Sequence, residues 1–281
     1  MNINHKKPFI IGEIGINHNG SVTLAKEIIL LAKTNGFDAV KMQKRDLDVC
    51  IPDSYKDKVR ETPWGQISYL KYKKKIEFNH NQFKEIIRYC KNIKIELFCS
   101  AFDVQSLKFL KKYKFKYNKV PSAMITNLDF LNEVAKLKKK TFISTGMCLM
   151  KDIENAVKIF SKHKCPFVLM HCVAEYPCPE NKLNLNMITT LIKKFKCEVG
   201  YSGHESTVSP TLFAWALGAN YIERHITNNR TNWGTDQSAS LEKGGMIHIT
   251  DVLKKSKSYF GDGVKKITDK EKEMLKKFKY W

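Results

Sequence analysis

A single (β/α)8 barrel is the fold this 281-residue sequence predicts, and three observations predict it. Short aliphatic runs alternate strictly with segments of helical periodicity, and strict alternation implies a parallel sheet. Eight such units fit within about 250 residues, which is the arithmetic of a closed barrel. Reactive side chains also gather where the strands end, the face that carries the active site in this architecture. Periodicity by itself does not distinguish closure from an open, doubly wound sheet, which is the competing topology. The expected organisation is one catalytic domain over 1–281, with the barrel at about 8–262 and a short basic tail at about 263–281.

The elements follow in order. PFIIGEIG (8–15) is the first strand, and a helical pattern from Ser21 to Asn35 stops at Gly36. FDAVKMQ (37–43) is the second strand; a long polar stretch with Pro52, Pro63 and Gly65 leads to a helix at 81–92. IELFCS (95–100) precedes a helix from Val104 to Tyr113, and YNKVP (117–121) precedes one from Asn127 to Leu137. TFIST (141–145), FVLMHC (167–172), VGYS (199–202) and YIERH (221–225) complete the strands. Their helices lie at 152–163, 187–195, after Thr207 and near 244–260.

Composition narrows the classes. Hydrophobic residues make up 43% and charged residues 27%, enough apolar material for a core and too much for a disordered chain. No run of about 18 apolar residues could span a bilayer. Glu13 interrupts the apolar start and no cleavage site follows, so no signal peptide is expected and the chain reads as cytoplasmic. Lys and Arg number 49 against 28 Asp and Glu, a formal charge of +21. The excess is almost all Lys, with only Arg45, Arg60, Arg88, Arg224 and Arg230. Nucleic-acid binders favour Arg for bidentate contacts, and these lysines are dispersed, so they read as solvated helix faces and loops. The eight cysteines form no CxxC pair and several sit in apolar runs. They read as buried thiols of a reducing cytosol, not as disulfides or a zinc framework.

Polar residues at the predicted strand ends are Glu13, Lys41 with Gln43, Ser100, Lys119 with Ser122, Ser144 with Thr145, His171, Ser202 with His204, and Glu223 with His225. Closure would put His204 and His225 on neighbouring strands, where two imidazoles with oxygen ligands suit Mn²⁺, Fe²⁺, Co²⁺ or Zn²⁺. Lys41 and Lys119 would point into the mouth, and buried lysines without partners ask for an anion. The alternative is that both stay at the rim and snorkel to water. STGM (144–147) has the look of a phosphate-gripping turn, while no GxGxxG or P-loop is present. His5, His80, His163 and His248 read as structural; His18 and His171 are open.

These motifs carry a resemblance. From GEIGINHNG (12–20) through KMQ (41–43), FCSAFD (98–103), KVPSAMITN (119–127), ISTGM (143–147), HCVAEYPCP (171–179), GYSGH (200–204), ERHIT (223–227) and NWGTDQSASLE (232–242), the chain resembles the N-acetylneuraminate (sialic acid) synthases. The resemblance implies condensation of phosphoenolpyruvate with an N-acylated mannosamine-type aldehyde, giving a sialic acid-type nonulosonic acid and phosphate. It implies that Glu13, Tyr176 and Asp236 are catalytic, with Glu13 acting at the sugar carbonyl. Lys41, Ser100, Lys119, Ser122, Ser144 and Ser202 would hold phosphoenolpyruvate. Gln43 would face the metal and substrate. His204 and His225 would bind a divalent metal, Mn²⁺ first, with Mg²⁺ or Co²⁺ as the other choices. A homo-oligomer, a dimer, is implied as well.

Three departures from the family pattern stand out. Met124 replaces a Glu that would contact the sugar side. Ala174 replaces a donor to phosphoenolpyruvate before the YP pair. The antifreeze-like domain that follows the barrel in relatives is not expected in a chain ending at Trp281. A related 2-keto-3-deoxy sugar acid synthase using another aldose, and a degenerate barrel binding polyanions such as nucleic acid, are the alternative readings.

Overall fold

The computed structural model describes residues 7–281, the side chain of Lys257 excepted. His5 therefore lies outside the described residues. Eight parallel strands close on themselves: β1 (Phe9–Gly15), β2 (Ala39–Lys44), β3 (Glu96–Ala101), β4 (Asn118–Val120), β5 (Thr141–Ser144), β6 (Phe167–His171), β7 (Glu198–Gly203) and β8 (Tyr221–His225). β8 pairs with β1, setting Phe9 opposite Tyr221 and Glu13 opposite His225. That last ladder excludes the open sheet.

The connecting helices are α1 (Val22–Thr34), α2 (His80–Asn92), α3 (Val104–Lys111), α4 (Leu128–Ala135), α5 (Met150–Lys162), α6 (Asn186–Phe195), α7 (Ser209–Ala216) and α8 (Lys243–Phe260). Side-chain caps fix several starts. Ser21 accepts from the Leu24 amide, Asp103 from Ser106, and Asn127 from Phe130. Asn79 and Gln82 close a reciprocal capping box at α2. Each such cap contributes about 1 kcal/mol. Burial then selects the face: α1 buries Ala25, Ile28, Ile29 and Ala32, the spacing of a single helical stripe.

Period-two alternation along the strands builds two separate cores. Ile10, Val40, Leu97, Val120, Ile143, Leu169, Val199 and Ile222 face outward and pack beneath the helices. Ile11, Ala39, Phe98, Phe142, Val168 and Met170 face inward and plug the barrel, with Phe9, Tyr117 and Tyr221 around them. Burying each large apolar chain fully is worth roughly 1.5–3 kcal/mol. Two residues further along, the same inward positions become Glu13, Lys41, Ser100, Lys119, Ser144, Cys172 and Glu223. The polar ring is therefore the next layer above an apolar plug.

Two regions depart from the sequence expectation. The long polar stretch after β2 folds into short helices at Leu47–Cys50 and Asp53–Lys56, a two-strand ribbon (Val59–Arg60 with Ile67–Ser68) and a helix at Tyr69–Ile76. Only Tyr72 and Ile76 of that helix are buried, packed with Ile16 and Trp233, too few to show as periodicity. At the other end, the basic tail contains a helix, Asp269–Phe278, capped by Thr268 and Glu271 and burying nothing. All eight cysteines are free thiols. Among the described residues no helix is long and apolar enough to cross a membrane.

Behind the mouth lies a fully buried ion pair. Arg224, on β8 between Glu223 and His225, reaches Glu205 at 2.8 Å, and the Tyr201 hydroxyl donates to the same carboxylate at 2.7 Å. Arg224 also donates to the Thr207 carbonyl and the Thr211 hydroxyl, tying the segment after His204 to the strand that carries His225. Removing one partner strands the other charge in the interior at a cost of about 3–5 kcal/mol. Glu205→Ala is expected to lower the urea unfolding free energy by that amount. An unchanged unfolding midpoint would show that the pair supports nothing.

Candidate active site

The strand ends open into a cavity of about 620 Å³, and every residue to which the resemblance gives a catalytic, substrate-facing, phosphoenolpyruvate-binding or metal-binding role lines it; Thr145 and His171, two other strand-end residues, do not. Their order follows the ladder. Glu13 is opposite Lys41 on β2 and His225 on β8; Gln43 is opposite Ser100, Ser100 opposite Lys119, and Ser202 opposite Glu223. Ser122, Tyr176 and Asp236 arrive from loops beyond the strands.

The floor is an interlocked set of four charges. Lys41 Nζ lies 2.6 Å from Glu13 Oε2 and 3.7 Å from Glu223 Oε1, and it donates to Ser100 Oγ at 2.8 Å. Lys119 Nζ lies 3.1 Å from Glu223, which also accepts from the Ser202 hydroxyl at 3.1 Å. Gln43 Nε2 donates to the other Glu13 oxygen at 2.6 Å. Both lysines are 3% exposed, so neither snorkels to water. Burial alone would drive Lys41 down, but Glu13 and Glu223 outweigh it and hold the ammonium above its ordinary range. Burial would raise Glu223, yet Lys119 and Lys41 hold its carboxyl well below the usual range. Lys119 itself is pulled down, by burial first and then by the neighbouring Lys41 ammonium against Glu223. The sequence placed Glu223 at a strand end without a role. Its role is to compensate both lysines, so the floor as a whole is close to neutral.

Beside it stand the two imidazoles, ring centroids 5.5 Å apart. His204 Nδ1 donates to the Val173 carbonyl at 2.7 Å, which leaves Nε2 as the nitrogen with a free lone pair. Burial, and then His225, depress His204 to about 3, so it is neutral. His225 Nδ1 is buried with no hydrogen-bond partner, and Asp236 Oδ2 lies 3.7 Å away. Tyr176 covers both rings, 4.2 Å from His204 and 5.6 Å from His225. Gly15 makes this approach possible: at φ +55°, a Cβ there would meet Asp236 Oδ2 at 2.9 Å and His225 Cε1 at 3.1 Å. A neutral imidazole with its second nitrogen anchored on a carbonyl, and a second with an orphaned nitrogen, fit a divalent transition metal. Among the described residues no three His, Cys, Asp or Glu side chains form a ready-made cage. The protein would thus provide two nitrogen ligands and leave the remaining positions to substrate oxygen and water.

Several expectations need adjustment. The Gly146 amide of the STGM turn donates to Ser122 Oγ at 3.1 Å, so it already has an acceptor within the protein. Ser122 Oγ also touches Cys172 Sγ at 3.2 Å, a neighbour no sequence signal indicated. Ala174 lines the cavity, whereas Met124 lines an adjoining space of about 440 Å³ beyond Arg45 and Phe102. His171 bonds the Leu183 carbonyl at 2.8 Å, outside the cavity lining. His80 stacks on Phe109, and His163 meets Asn132. Arg45 and Lys73 line the cavity, although sequence reasoning gave neither a role.

His18 is structural. It is buried against Phe78 at 4.2 Å, and burial lowers it to about 4. Its folded value lies below the unfolded value of about 6.5, so between those pH values the unfolded chain binds a proton that the fold refuses. This contribution to stability is complete above about pH 6.5 and is lost at up to ~1.4 kcal/mol per pH unit as pH falls to about 4. Urea unfolding across that window should show a slope that His18→Gln reduces by about one proton. An identical slope in the variant would contradict the assignment.

Comparison with known proteins places this geometry among relatives. The pattern of the NeuB family matches residues 28–265. The chain is 36% identical over 275 residues to N,N'-diacetyllegionaminic acid synthase of Campylobacter jejuni, covering 96% of this chain and 82% of that protein. It is 33% identical over 266 residues to human N-acetylneuraminate-9-phosphate synthase, covering 92% and 73%. The crystal structure of N-acetylneuraminic acid (sialic acid) synthetase from Leptospira borgpetersenii, in complex with citrate, matches with a TM-score of 0.82 at 29% identity, covering 99% of this chain and 93% of that one.

Proposed function

The chain belongs to the NeuB family, and on that premise we propose that it condenses phosphoenolpyruvate with an N-acylated mannosamine-type aldose to give a sialic acid-type nonulosonic acid and phosphate. The observation that carries the reading is the juxtaposition in one cavity of the Glu13–Lys41–Glu223–Lys119 floor with the His204–His225 pair.

Phosphoenolpyruvate would lie over the floor. Each lysine has three N–H donors, and those not committed to carboxylates can turn to the phosphate and carboxylate oxygens. Ser100, Ser122, Ser144 and Ser202 add hydroxyls around the same ring. Because the floor is already compensated, binding exchanges partners among fixed groups without neutralising a bare cation. The aldose would occupy the side of His204, Tyr176 and Asp236. A divalent metal, Mn²⁺ in first place, would be held by His204 and His225 and supply Lewis-acid polarisation of the aldehyde oxygen.

C3 of phosphoenolpyruvate attacks the aldehyde carbon, forming the C–C bond, and the aldehyde oxygen takes up a proton. Water adds at C2 and loses a proton. The tetrahedral centre then expels phosphate by C–O cleavage, leaving the 2-keto acid. Glu13, bonded to Gln43 on one oxygen and to Lys41 on the other, would hold the proton that moves at the aldehyde oxygen. Fixing both reactants on one rigid rim supplies the proximity contribution.

Purified protein with Mn²⁺, phosphoenolpyruvate and a panel of N-acylated mannosamine-type aldoses should release phosphate in step with keto acid. Folded protein that releases none with any of them would refute the reading. Glu13→Gln is expected to cut turnover by about 10²–10⁴-fold while phosphoenolpyruvate still binds, since the change leaves the floor more positive. An active variant would remove Glu13 from the mechanism. Calorimetric titration with Mn²⁺ alone should show a site that His204→Ala loses, and chelation should abolish turnover reversibly. Equal Mn²⁺ binding by the variant would move the metal elsewhere.

A further inference from the structure

Building on that reading, we propose that Arg45 and Lys73, backed by Arg60, form a second anion site in the barrel mouth that takes a phosphate monoester at the far end of the aldose. The floor is not where uncompensated positive charge resides, because its two lysines face two carboxylates. The rim differs. The Arg45 guanidinium sits 3.6 Å from the centre of the Phe102 ring. Lys73 Nζ lies 5.3 Å from the ring centres of both Tyr69 and Tyr72. Arg60 is 4.6 Å from Tyr72 and 5.2 Å from Trp233. Aromatic faces support all three cations, and none of the three has an ion-pair partner among the described residues.

Of the nearby carboxylates Glu77 is committed, while Asp236 offsets part of the cationic charge without an ion pair to any of the three. Glu77 takes Lys44 at 2.8 Å and the backbone N–H of Arg45 at 3.1 Å. Asp236 faces the cluster from the His225 side and accepts from the Thr235 hydroxyl. The crowding has an electrostatic signature: burial, and next Arg45, lower Lys73 to about 8, with Arg60 adding and Asp236 and Glu77 opposing. A neutral aldose would leave these cations repelling one another. A phosphate monoester carries about −1.5 to −2 charges near neutral pH and would relieve them. Stacking on a ring also leaves the guanidinium edge free for two parallel N–H···O bonds.

The position suits the ligand. Arg45 and Lys73 line the same cavity as Glu13 and His225, so one substrate pair can reach from floor to rim. They belong to the insertion after β2, whose helix Tyr69–Ile76 packs Tyr72 against Trp233 beside the mouth. The inserted elements thereby bring to the aldose side cations that no barrel strand provides.

The test measures phosphate release at saturating phosphoenolpyruvate with N-acetylmannosamine and with its 6-phosphate. The phosphorylated aldose should have at least a tenfold higher kcat/KM. Lys73→Met and Arg45→Met should each raise its KM at least tenfold and collapse that preference, whereas Lys73→Arg should retain it. Turnover that is equal or better with the unphosphorylated aldose would overturn the second anion site and leave the condensation reading standing. A rise in the KM for phosphoenolpyruvate in place of the aldose would also overturn it, assigning these cations to the three-carbon substrate. No release with either aldose, by folded protein that turns over another N-acylated aldose of the panel, would overturn the second anion site alone; no release across the whole panel would overturn the condensation reading, and this one with it.

Discussion

Glu13, Lys41, Glu223 and Lys119 form the interaction on which the rest of the mouth depends. Each is nearly fully buried on top of an apolar plug, where an isolated charge costs several kcal/mol. None is tolerable without the others, so the register of four strands is constrained by one electrostatic requirement. A one-residue slip on β1 or β8 would turn a carboxylate out among the helices and leave a lysine unmatched. The serines and Gln43 complete the set by hydrogen bonds to the same charges. Buried charges of this kind are pre-organised because their mutual compensation holds them there.

A second buried pair works on the opposite side of the strand wall. Arg224 and Glu205 lie behind the imidazoles, where alternation along β8 sends Glu223 and His225 inward and Arg224 outward. The Arg224 bonds to Thr207 and Thr211 hold the chain after β7 against β8. The spacing of His204 and His225 is thus set by groups that never enter the cavity.

The large positive charge acquires a structure in this arrangement. Part of it is neutralised in the floor, and most of it coats helices and loops. A small part, at Arg45, Lys73 and Arg60, stands on aromatic rings at the rim without an ion-pair partner among the described residues. Within the mouth, this last part can attract a further anion without displacing a paired protein carboxylate. Composition gives the total and says nothing of this division.

Much of the fold and of the candidate site was legible because alternation is a local property. Strand runs, helix caps such as Ser21 and Asn127, and polar residues at strand ends are all written within a few residues of one another. The insertion after β2 was not legible, since Tyr72 and Ile76 alone are buried and their partner Trp233 is remote in the chain. Likewise the role of Glu223 could not be read from YIERH, because its partners Lys41 and Lys119 lie on other strands. Met124 shows the same limit: its residue type is plain, but which of two adjoining spaces it faces depends on Arg45 and Phe102. By itself the sequence determined an eight-unit barrel and the side chains offered to its mouth. Closure, charge pairing and the unpaired rim were decided by the tertiary structure alone, because each joins groups far apart in sequence whose energies depend on distance and burial.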